Sequence, residues 1–304
     1  YMNSGKMTNK GWEFRVDAVP FQNKDWRVGV YFNIAHNENK ITEMPDNYIE
    51  ENYTFGNGNY AYRREEGRPM GSFYGYRYKG VYQNKDATYA RDIEGNVMKD
   101  ISGNAIVMRN GSYTVAPGDA IYEDVNHDGV INQYDIVYLG NSNPRLTGGA
   151  GLNVSYKQFK LSAIFYGRYG QDVVNATRLN NESMRGIDNQ STAVLRRWRN
   201  EGDQTDIPRA LYGEGYNTLG SDRFVEDASY LRLKSLSFTY RLPKKAIQRW
   251  GFNNIDVYVT GYNLFTWTNY TGQDPEVKTE NTYAKDTATT PASIQLVAGF
   301  NLSF

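Results

Sequence analysis

A stretch near the middle of the chain, Asp124–Asp135, has the residue spacing of a calcium-binding loop. Side chains with oxygen donors stand at loop positions 1, 3, 5, 9 and 12, and Gly129 stands at position 6. An EF-hand loop binds Ca²⁺ through these positions and through the backbone carbonyl of position 7, because the ion takes six to eight oxygens and glycine permits the tight turn. The predicted ligands are Asp124, Asn126, Asp128, the carbonyl of Val130, Asn132 and Asp135.

The last position of the loop departs from the EF-hand pattern, since Asp135 replaces the usual glutamate. Its shorter side chain must bring the backbone closer to the ion, as in dockerin-like loops. No strong paired helices flank the loop, so we predict a structural Ca²⁺ site rather than a sensor. The alternative is a turn without a metal, because Asp, Asn and Gly also dominate ordinary turns.

The composition argues against several classes of function. The chain has 34 basic and 34 acidic side chains, so its net charge is zero and nucleic acid is not a predicted partner. Cysteine is absent from the sequence, which removes thiol catalysis and Cys-ligated metal sites. The two histidines are His36 and His127, and His127 lies inside the calcium loop at a position that points away from the ion. We therefore do not predict an enzyme.

Apolar and polar residues alternate in several segments, which indicates β-strands with one apolar face. The first hairpin turns at Asn23–Asp25 and the second at Lys157–Gln158. The alternation skips one residue between 233 and 236, which predicts a β-bulge, and a short helical turn is predicted over 243–250. The segment 191–200 is predicted to be a surface helix.

The connections between the predicted strands alternate in length. Short connections near 24, 157 and 247 alternate with long ones at 36–148, 169–226 and 269–291. Outer-membrane barrels have short periplasmic turns and long extracellular loops. The predicted fold is therefore all-β, a transmembrane antiparallel β-barrel segment of about seven strands, with the calcium loop in the longest extracellular loop.

The last predicted strand, 293–304, places Phe300, Leu302 and Phe304 on one face. An aromatic C-terminus on such a strand resembles the membrane-insertion signal of bacterial outer-membrane barrels. Counting the strands brings this end to the periplasm. Because complete bacterial barrels have an even number of strands, we expect the chain to be the C-terminal part of a larger protein. The alternative is a secreted, calcium-stabilised β-sandwich that binds glycans.

Aromatic residues are frequent, and tyrosine alone occurs 26 times. Loop tyrosines such as Tyr74, Tyr76 and Tyr78 either contact a substrate or pack the loops, and packing is the favoured interpretation. Tryptophans also lie near predicted strand ends, where barrels carry aromatic girdles: these are Trp12, Trp26, Trp250 and Trp267.

Several longer motifs resemble the closing segment of SusC/RagA-type TonB-dependent transporters of Bacteroidota. They are Gly71–Tyr76, Gly118-Asp119, Gly140–Pro144, Arg232–Tyr240 with Leu242-Pro243, Val257–Thr268 and Gly272–Glu276. The resemblance covers essentially the whole chain.

The resemblance implies a barrel of about 22 strands in the bacterial outer membrane, with the lumen filled by a plug. It also implies a SusD-like surface lipoprotein as partner and energy supplied by the TonB complex. The plug and the TonB box are not found in this sequence, so we expect the remainder of the transporter to provide them. The implied substrate is an oligosaccharide or an oligopeptide, and no substrate-binding residue is predicted.

Overall fold

The computed structural model describes residues 5–44, 58–61, 63–277, 279–280 and 283–304. Seven long strands form one antiparallel sheet, in which each long strand pairs with the next one along the chain and the first and last are the edges. They are β1 (Lys6–Gln22), β2 (Trp26–Glu43), β3 (Leu146–Tyr156), β4 (Phe159–Tyr169), β5 (Tyr230–Arg241), β6 (Asn254–Thr268) and β7 (Gln295–Ser303).

Three short connections join these strands at one end of the sheet. In the first, the side chain of Asn23 accepts hydrogen bonds from the backbone N–H groups of Asp25 at 2.9 Å and Trp26 at 2.8 Å. Lys157 takes a left-handed backbone conformation in the second. The third contains the helix α2 (Lys244–Ile247) and the 3₁₀ turn Gln248–Trp250. The two hairpin turns and the helical turn predicted from the sequence are confirmed.

The register between β5 and β6 shifts between Leu233 and Ser235. The same part of the sheet shows a register shift between β4 and β5, at Ile164 and Phe165. The β-bulge predicted from the interrupted alternation is therefore confirmed, and it lies at Lys234.

The two faces of the sheet differ in chemistry. Val16 pairs with Phe32, and the registers place Phe165, Phe238 and Phe300 on the same face. Phe32, Phe238 and Phe300 are 44%, 48% and 68% exposed, and no second sheet covers them within the described ranges. A β-sandwich would bury such a face against another sheet, so the architecture does not favour the sandwich alternative.

The opposite face of the sheet is polar. Arg27 pairs with Ser155, which pairs with Lys160, and Lys160 pairs with Thr239. Arg241 and Asp256 form an ion pair on this face, with Nε and Oδ1 2.7 Å apart. Across the described ranges, no helix is both long enough and apolar enough to cross a membrane.

The three long connections meet at the other end of the sheet, where they form what we call the loop lobe (described residues within 58–145, 170–229 and 269–294). The lobe contains α1 (Ala176–Asn181) and several 3₁₀ turns, which are Asp86–Thr88, Gln133–Asp135, Thr192–Arg196, Tyr216–Thr218 and Asp222–Phe224. Its short strands are Ser72–Gly75, Tyr78–Val81, Arg109–Asn110, Tyr113–Thr114, Ala120–Tyr122, Val137–Asn141, Asp172–Asn175, Val225–Asp227, Thr279–Glu280 and Tyr283–Asp286.

Three apolar clusters hold the lobe together. The first contains Tyr74, Tyr76 and Ile131, the second contains Phe73 and Phe224, and the third contains Val173, Ala228, Tyr270 and Ala284. Tyr74 and Tyr76 are buried, and the half-buried Tyr78 donates its hydroxyl to the carbonyl of Asp206 at 2.6 Å. These tyrosines pack the lobe, in agreement with the interpretation favoured from the sequence.

The prediction of a surface helix over 191–200 is wrong. Only Thr192–Arg196 is helical, as a 3₁₀ turn, and Arg197 then becomes extended. The chain turns away because the backbone N–H of Trp198 donates to the carbonyl of Ile207 at 2.9 Å instead of continuing a helix. The β-branched Thr192 and Val194 also favour helix only weakly.

Several predicted bounds also differ from the structure. The sequence predicts the first long connection at 36–148, but β2 continues to Glu43 because its backbone still pairs with β1, from Lys6 to Gly11. Backbone pairing needs no apolar alternation, so the sequence pattern ended too early. The last strand covers Gln295–Ser303, within the predicted 293–304.

Candidate functional site

The structure brings the six predicted calcium ligands together in one compact loop. Asp124 accepts hydrogen bonds from the backbone N–H groups of Asp128 at 3.2 Å and Gly129 at 2.8 Å. The Asp128 carboxylate accepts from the N–H of Val130 at 2.8 Å. The side chain of Asn132 donates to the carbonyl of Val130 at 3.1 Å. The loop backbone is thus folded around its own carboxylates.

Two asparagine amides face the acidic centre of the loop with their nitrogens. Nδ2 of Asn126 lies 2.9 Å from Oδ2 of Asp128, and Nδ2 of Asn132 lies 3.5 Å from the same oxygen. An amide nitrogen beside a carboxylate is favourable, but a cation requires the amide oxygen. Binding of Ca²⁺ therefore requires both amide groups to rotate so that Oδ1 points inward.

Asp135 is the buried member of the loop. Its carboxylate accepts from the N–H of Val125 at 2.8 Å and from the N–H of Asn132 at 2.8 Å, and the side chain is 0% exposed. Burial raises the pKa of Asp135, and the nearby carboxylates of Asp124 and Asp128 raise it further. No basic side chain forms an ion pair with these three carboxylates among the described residues, so a cation would relieve their repulsion.

The donor set fits Ca²⁺ in its chemistry. Three carboxylates, two amide oxygens and one carbonyl are the hard oxygen ligands that this ion takes. Within the described ranges, no three acidic, histidine or cysteine side chains converge closely enough to hold a metal by themselves. A cation bound in this loop would therefore need the amides and the carbonyl of Val130 as well as the carboxylates.

The calcium loop is fixed inside the lobe. Ile131 is fully buried, its N–H donates to the carbonyl of Arg109 at 2.8 Å, and Nδ2 of Asn110 donates to its carbonyl at 2.7 Å. Gly129 has a φ of +79°, and a Cβ at this position would lie 2.9 Å from the Cβ of Ala90. His127 turns away from the acidic centre, with Nδ1 3.3 Å from the carbonyl of Arg91.

The apolar face of the sheet carries aromatic side chains near both ends. Trp12 and Trp267 lie near the lobe end, whereas Trp26, whose ring centroid is 4.3 Å from that of Tyr156, lies at the turn end. Trp250 lies in the helical turn between β5 and β6. These positions agree with the strand-end placement predicted for the tryptophans, apart from Trp12, which lies within the longer β1.

The three residues of the predicted insertion signal are exposed at the edge of the sheet. Phe300 pairs with Val257 and Leu302 with Ile255, so both lie on the apolar face. The ring of Phe304 lies 4.8 Å from that of Phe252, between centroids. The structure thus places Phe300, Leu302 and Phe304 on one strip at the turn end of β7.

A buried ionic cluster attaches the lobe to the polar face of the sheet. Arg232 on β5 donates to Glu276 at 2.9 Å and also contacts Asp274, while its Nε donates to Thr266 at 2.8 Å. Lys234 donates to Glu276 at 2.8 Å. No pattern in the sequence indicates a site at these residues, although the basic and the acidic partners both lie inside the motifs Arg232–Tyr240 and Gly272–Glu276.

Two further acidic residues join the loops to one another. Glu226 accepts from Arg178 at 3.2 Å and from the backbone N–H of Thr271 at 2.9 Å, which connects the second long loop to the third. Asp119 is fully buried and accepts from Nε of Arg209 at 2.7 Å, which connects the first loop to the second. Sequence spacing does not predict either contact, because 90 residues separate Asp119 from Arg209 and 45 separate Glu226 from Thr271.

No family model matches the chain. TonB-dependent receptor P3 of Formosa agariphila is 32% identical over 286 residues, which cover 92% of this chain and 26% of that receptor. TonB-dependent receptor SusC of Bacteroides thetaiotaomicron is 27% identical over 311 residues, which cover 99% of this chain and 27% of that receptor. A solved structure of the RagAB peptide transporter matches with a TM-score of 0.72 and 28% identity, over 100% of this chain and 30% of that chain. The chain is homologous to SusC/RagA-type TonB-dependent receptors.

The resemblance to the SusC/RagA family that the motifs predicted is thereby confirmed. The chain spans only 26% and 31% of the lengths of two of the Formosa agariphila receptors that it matches. The motifs that carry the resemblance have structural roles in this chain. Arg232–Tyr240 and Gly272–Glu276 meet in the buried ionic cluster, and Asp119 of Gly118-Asp119 holds Arg209.

Proposed function

We propose that this chain forms wall strands and loops of an outer-membrane transporter that imports an oligomeric nutrient. The observation that carries the proposal is the two-faced sheet, with an exposed apolar face bearing aromatic residues near both ends and an opposite polar face. In a transmembrane barrel such a sheet presents its apolar face to lipid and its polar face to the lumen. Likeness to receptors named TonB-dependent supports the same conclusion.

In this proposal the remaining strands close the sheet into a barrel of about 22 strands around a plug. The loop lobe then lies outside the cell, and the short turns and Phe304 lie in the periplasm. Phe300, Leu302 and Phe304 serve as the insertion signal. The support for this orientation is the general rule that long loops are extracellular and short turns periplasmic.

The proposed cargo is an oligosaccharide or an oligopeptide, captured with a SusD-like surface lipoprotein and moved with energy from TonB. One solved structure that the chain resembles is described as a peptide transporter, RagAB, and one relative is SusC. Import of this kind needs binding and movement, without covalent chemistry by residues of this chain. The alternative, a secreted glycan-binding β-sandwich, has no support from the exposed apolar face.

We further propose that the loop Asp124–Asp135 holds a structural Ca²⁺. The ligands are Asp124, Asn126, Asp128, the carbonyl of Val130, Asn132 and Asp135. The ion would offset the repulsion of three carboxylates and fix a loop that already anchors in the lobe core through Ile131. Its role is to shape the outer surface of the transporter, not to take part in the transport step.

Deletion and co-purification in the native host test the import function. We expect the full-length receptor to fractionate with the outer membrane and to co-purify with a surface lipoprotein. Cells that lack the receptor should fail to grow on one class of oligomer, and cells with inactive TonB should show the same defect. Normal growth of the receptor deletion on every oligosaccharide and oligopeptide that supports the parent strain would contradict the proposal.

A further inference from the structure

The polar face of the sheet, which would form the inner wall of the proposed barrel, carries an aromatic and cationic patch at the end where the sheet meets the loop lobe. We call it the wall patch and define it as Tyr166, Arg168, Tyr230, Arg232 and Lys234. Tyr166 pairs with Arg232 across β4 and β5, and Arg168 pairs with Tyr230 two residues further along, on the same face. These registers place four of the side chains beside one another at the lobe end of the polar face, and Lys234 joins them with its Nζ 5.7 Å from the Tyr166 ring centroid.

The cations of the wall patch differ in their partners. Arg232 and Lys234 both donate to Glu276, and Arg232 also contacts Asp274. Arg168 donates its Nε to the hydroxyl of Tyr166 at 3.1 Å. Among the residues that the structure describes, no carboxylate forms an ion pair with Arg168. Three cations therefore share two carboxylates, and Arg168 is the one that lies near Glu276 without forming an ion pair with it.

Tyr230 adds a buried hydroxyl to the wall patch. Its side chain is 5% exposed, and its buried hydroxyl has no hydrogen-bond partner among the described residues. The ring centroids of Tyr230 and Tyr166 are 6.2 Å apart, and the guanidinium of Arg232 lies 5.3 Å from the Tyr230 ring centroid. Buried polar groups normally find partners, so this hydroxyl would gain one only if the neighbouring side chains moved to admit it.

We propose that Arg168 and Tyr166, packed beside the ring of Tyr230, form a binding site for a carboxylate of the imported oligomer. The inference rests on the proposed import function. A guanidinium with free terminal nitrogens matches a carboxylate with two parallel hydrogen bonds. The half-buried position of Arg168 reduces competition from water, and the hydroxyl of Tyr166, which accepts from Arg168, can donate its own proton to the same ligand. The ligand class is an acidic oligomer, either a peptide with acidic side chains or a uronic-acid oligosaccharide.

Paired probes test this site in the full-length receptor with its lipoprotein. The first pair is a dye-labelled decapeptide rich in glutamate and the same peptide with glutamine. The second pair is a labelled oligogalacturonate and its methyl ester. Affinities are measured for wild type, Arg168→Gln and Arg168→Lys, with Arg27→Gln as a control because Arg27 is a cation at the opposite end of the polar face.

We expect wild type to bind the acidic member of one pair about tenfold more tightly than its neutral partner. Arg168→Gln should remove this discrimination, Arg168→Lys should restore part of it, and Arg27→Gln should retain it. The pair that shows discrimination identifies the source of the carboxylate. Equal binding of acidic and neutral probes by wild type, or unchanged discrimination in Arg168→Gln, would overturn the proposal.

A further possible outcome is that Arg168 pairs with a carboxylate of the receptor itself and not with a carboxylate of the cargo. In that case Arg168→Gln would lower the melting temperature of the receptor without any probe, and wild type would not distinguish the probes. This result also overturns the proposal. Failure of the proposed import function can be distinguished from failure of this proposal, because the tests of membrane fractionation, lipoprotein co-purification and TonB dependence do not involve Arg168.

Discussion

Nη1 of Arg232 lies 2.9 Å from Oε2 of Glu276, and this contact joins a wall strand to the third long loop. The Arg232 side chain is 3% exposed and that of Glu276 is 28% exposed. A guanidinium so deeply buried is tolerated only with its partners in place. The sheet and the loop lobe are therefore connected at β5, within the wall patch.

Replacing Arg232 should detach the third loop from the wall. We expect Arg232→Ala to destabilise the receptor by about 3 kcal/mol, because Asp274 loses its ion-pair partner and Glu276 keeps only Lys234. Hydrogen exchange should rise over residues 269–277 in particular. The control is Arg77→Ala, whose ion pair with Glu123 is largely exposed and which should cost under about 1 kcal/mol. Equal effects of the two substitutions would show that the Arg232 contact is not an anchor.

Chelation should loosen the calcium loop and leave the barrel folded. We expect a calcium chelator to speed proteolysis within residues 100–145, because the loop carboxylates then repel one another without a cation. Asp124→Ala should show the same cleavage with calcium present. His127→Asn serves as the control, since this side chain faces away from the acidic centre and Asn tolerates a positive φ. Identical cleavage with and without chelator in wild type counts against a calcium site.

Alanine substitutions at two glycines with similar φ values can distinguish the cost of backbone strain from the cost of steric crowding. Gly129 has a φ of +79° and would bring a Cβ to 2.9 Å from Ala90, whereas Gly95 has a φ of +88° and open space around it. Both Gly129→Ala and Gly95→Ala should cost about 1 kcal/mol from the left-handed backbone. Only Gly129→Ala should also lower the affinity for Ca²⁺ in a titration. Equal calcium affinity in the two variants would refute the role assigned to Gly129.

Glu226 should make the packing of the lobe sensitive to acid. Burial opposes its ionisation, but hydrogen bonds from Thr271, Arg178 and Asn175 outweigh burial and hold the pKa of the carboxyl below its usual value. A carboxyl with a lowered pKa in the folded state stabilises the protein at higher pH, and this stabilisation is lost as the pH falls through the folded-state pKa.

We therefore expect Glu226→Gln to melt below wild type at pH 7 and the gap to shrink as the pH falls below the ordinary value of 4.5. Glu201→Gln is the matched control, because Glu201 lies exposed on the lobe, and it should follow wild type at every pH. A gap between wild type and Glu226→Gln that stays constant across the range would mean that the charge of Glu226 does not contribute.

Regular alternation made the wall of this protein readable from its sequence. The turns at Asn23 and Lys157, the bulge at Lys234 and the shared face of Phe32 and Phe238 follow from a period of two, which local residue types encode. The family resemblance also came from contiguous motifs. The register beyond His36 was missed because backbone hydrogen bonds continue there without an apolar pattern.

The contacts inside the loop lobe could not be predicted from the sequence in the same way. Its contacts join residues far apart in the chain, such as Asp119 with Arg209 and Glu226 with Thr271, and composition does not specify such pairs. Local propensity predicts a helix that includes Trp198, but the backbone N–H of Trp198 donates to the carbonyl of Ile207 instead. The calcium ligands lie close in sequence, so their convergence could be predicted, whereas the orientation of the Asn126 amide could not.

The membrane-facing assignment of the sheet is tested most directly by fluorescence quenching in lipid. The chain lacks cysteine, so Phe238→Cys and Ser237→Cys, in a receptor otherwise free of cysteine, each place one bimane label on β5. These neighbours lie on opposite faces of the same strand. In proteoliposomes that contain lipids with brominated acyl chains, we predict strong quenching for the label at 238 and little for the label at 237. Equal quenching at both positions, or stronger quenching at 237, would contradict the account.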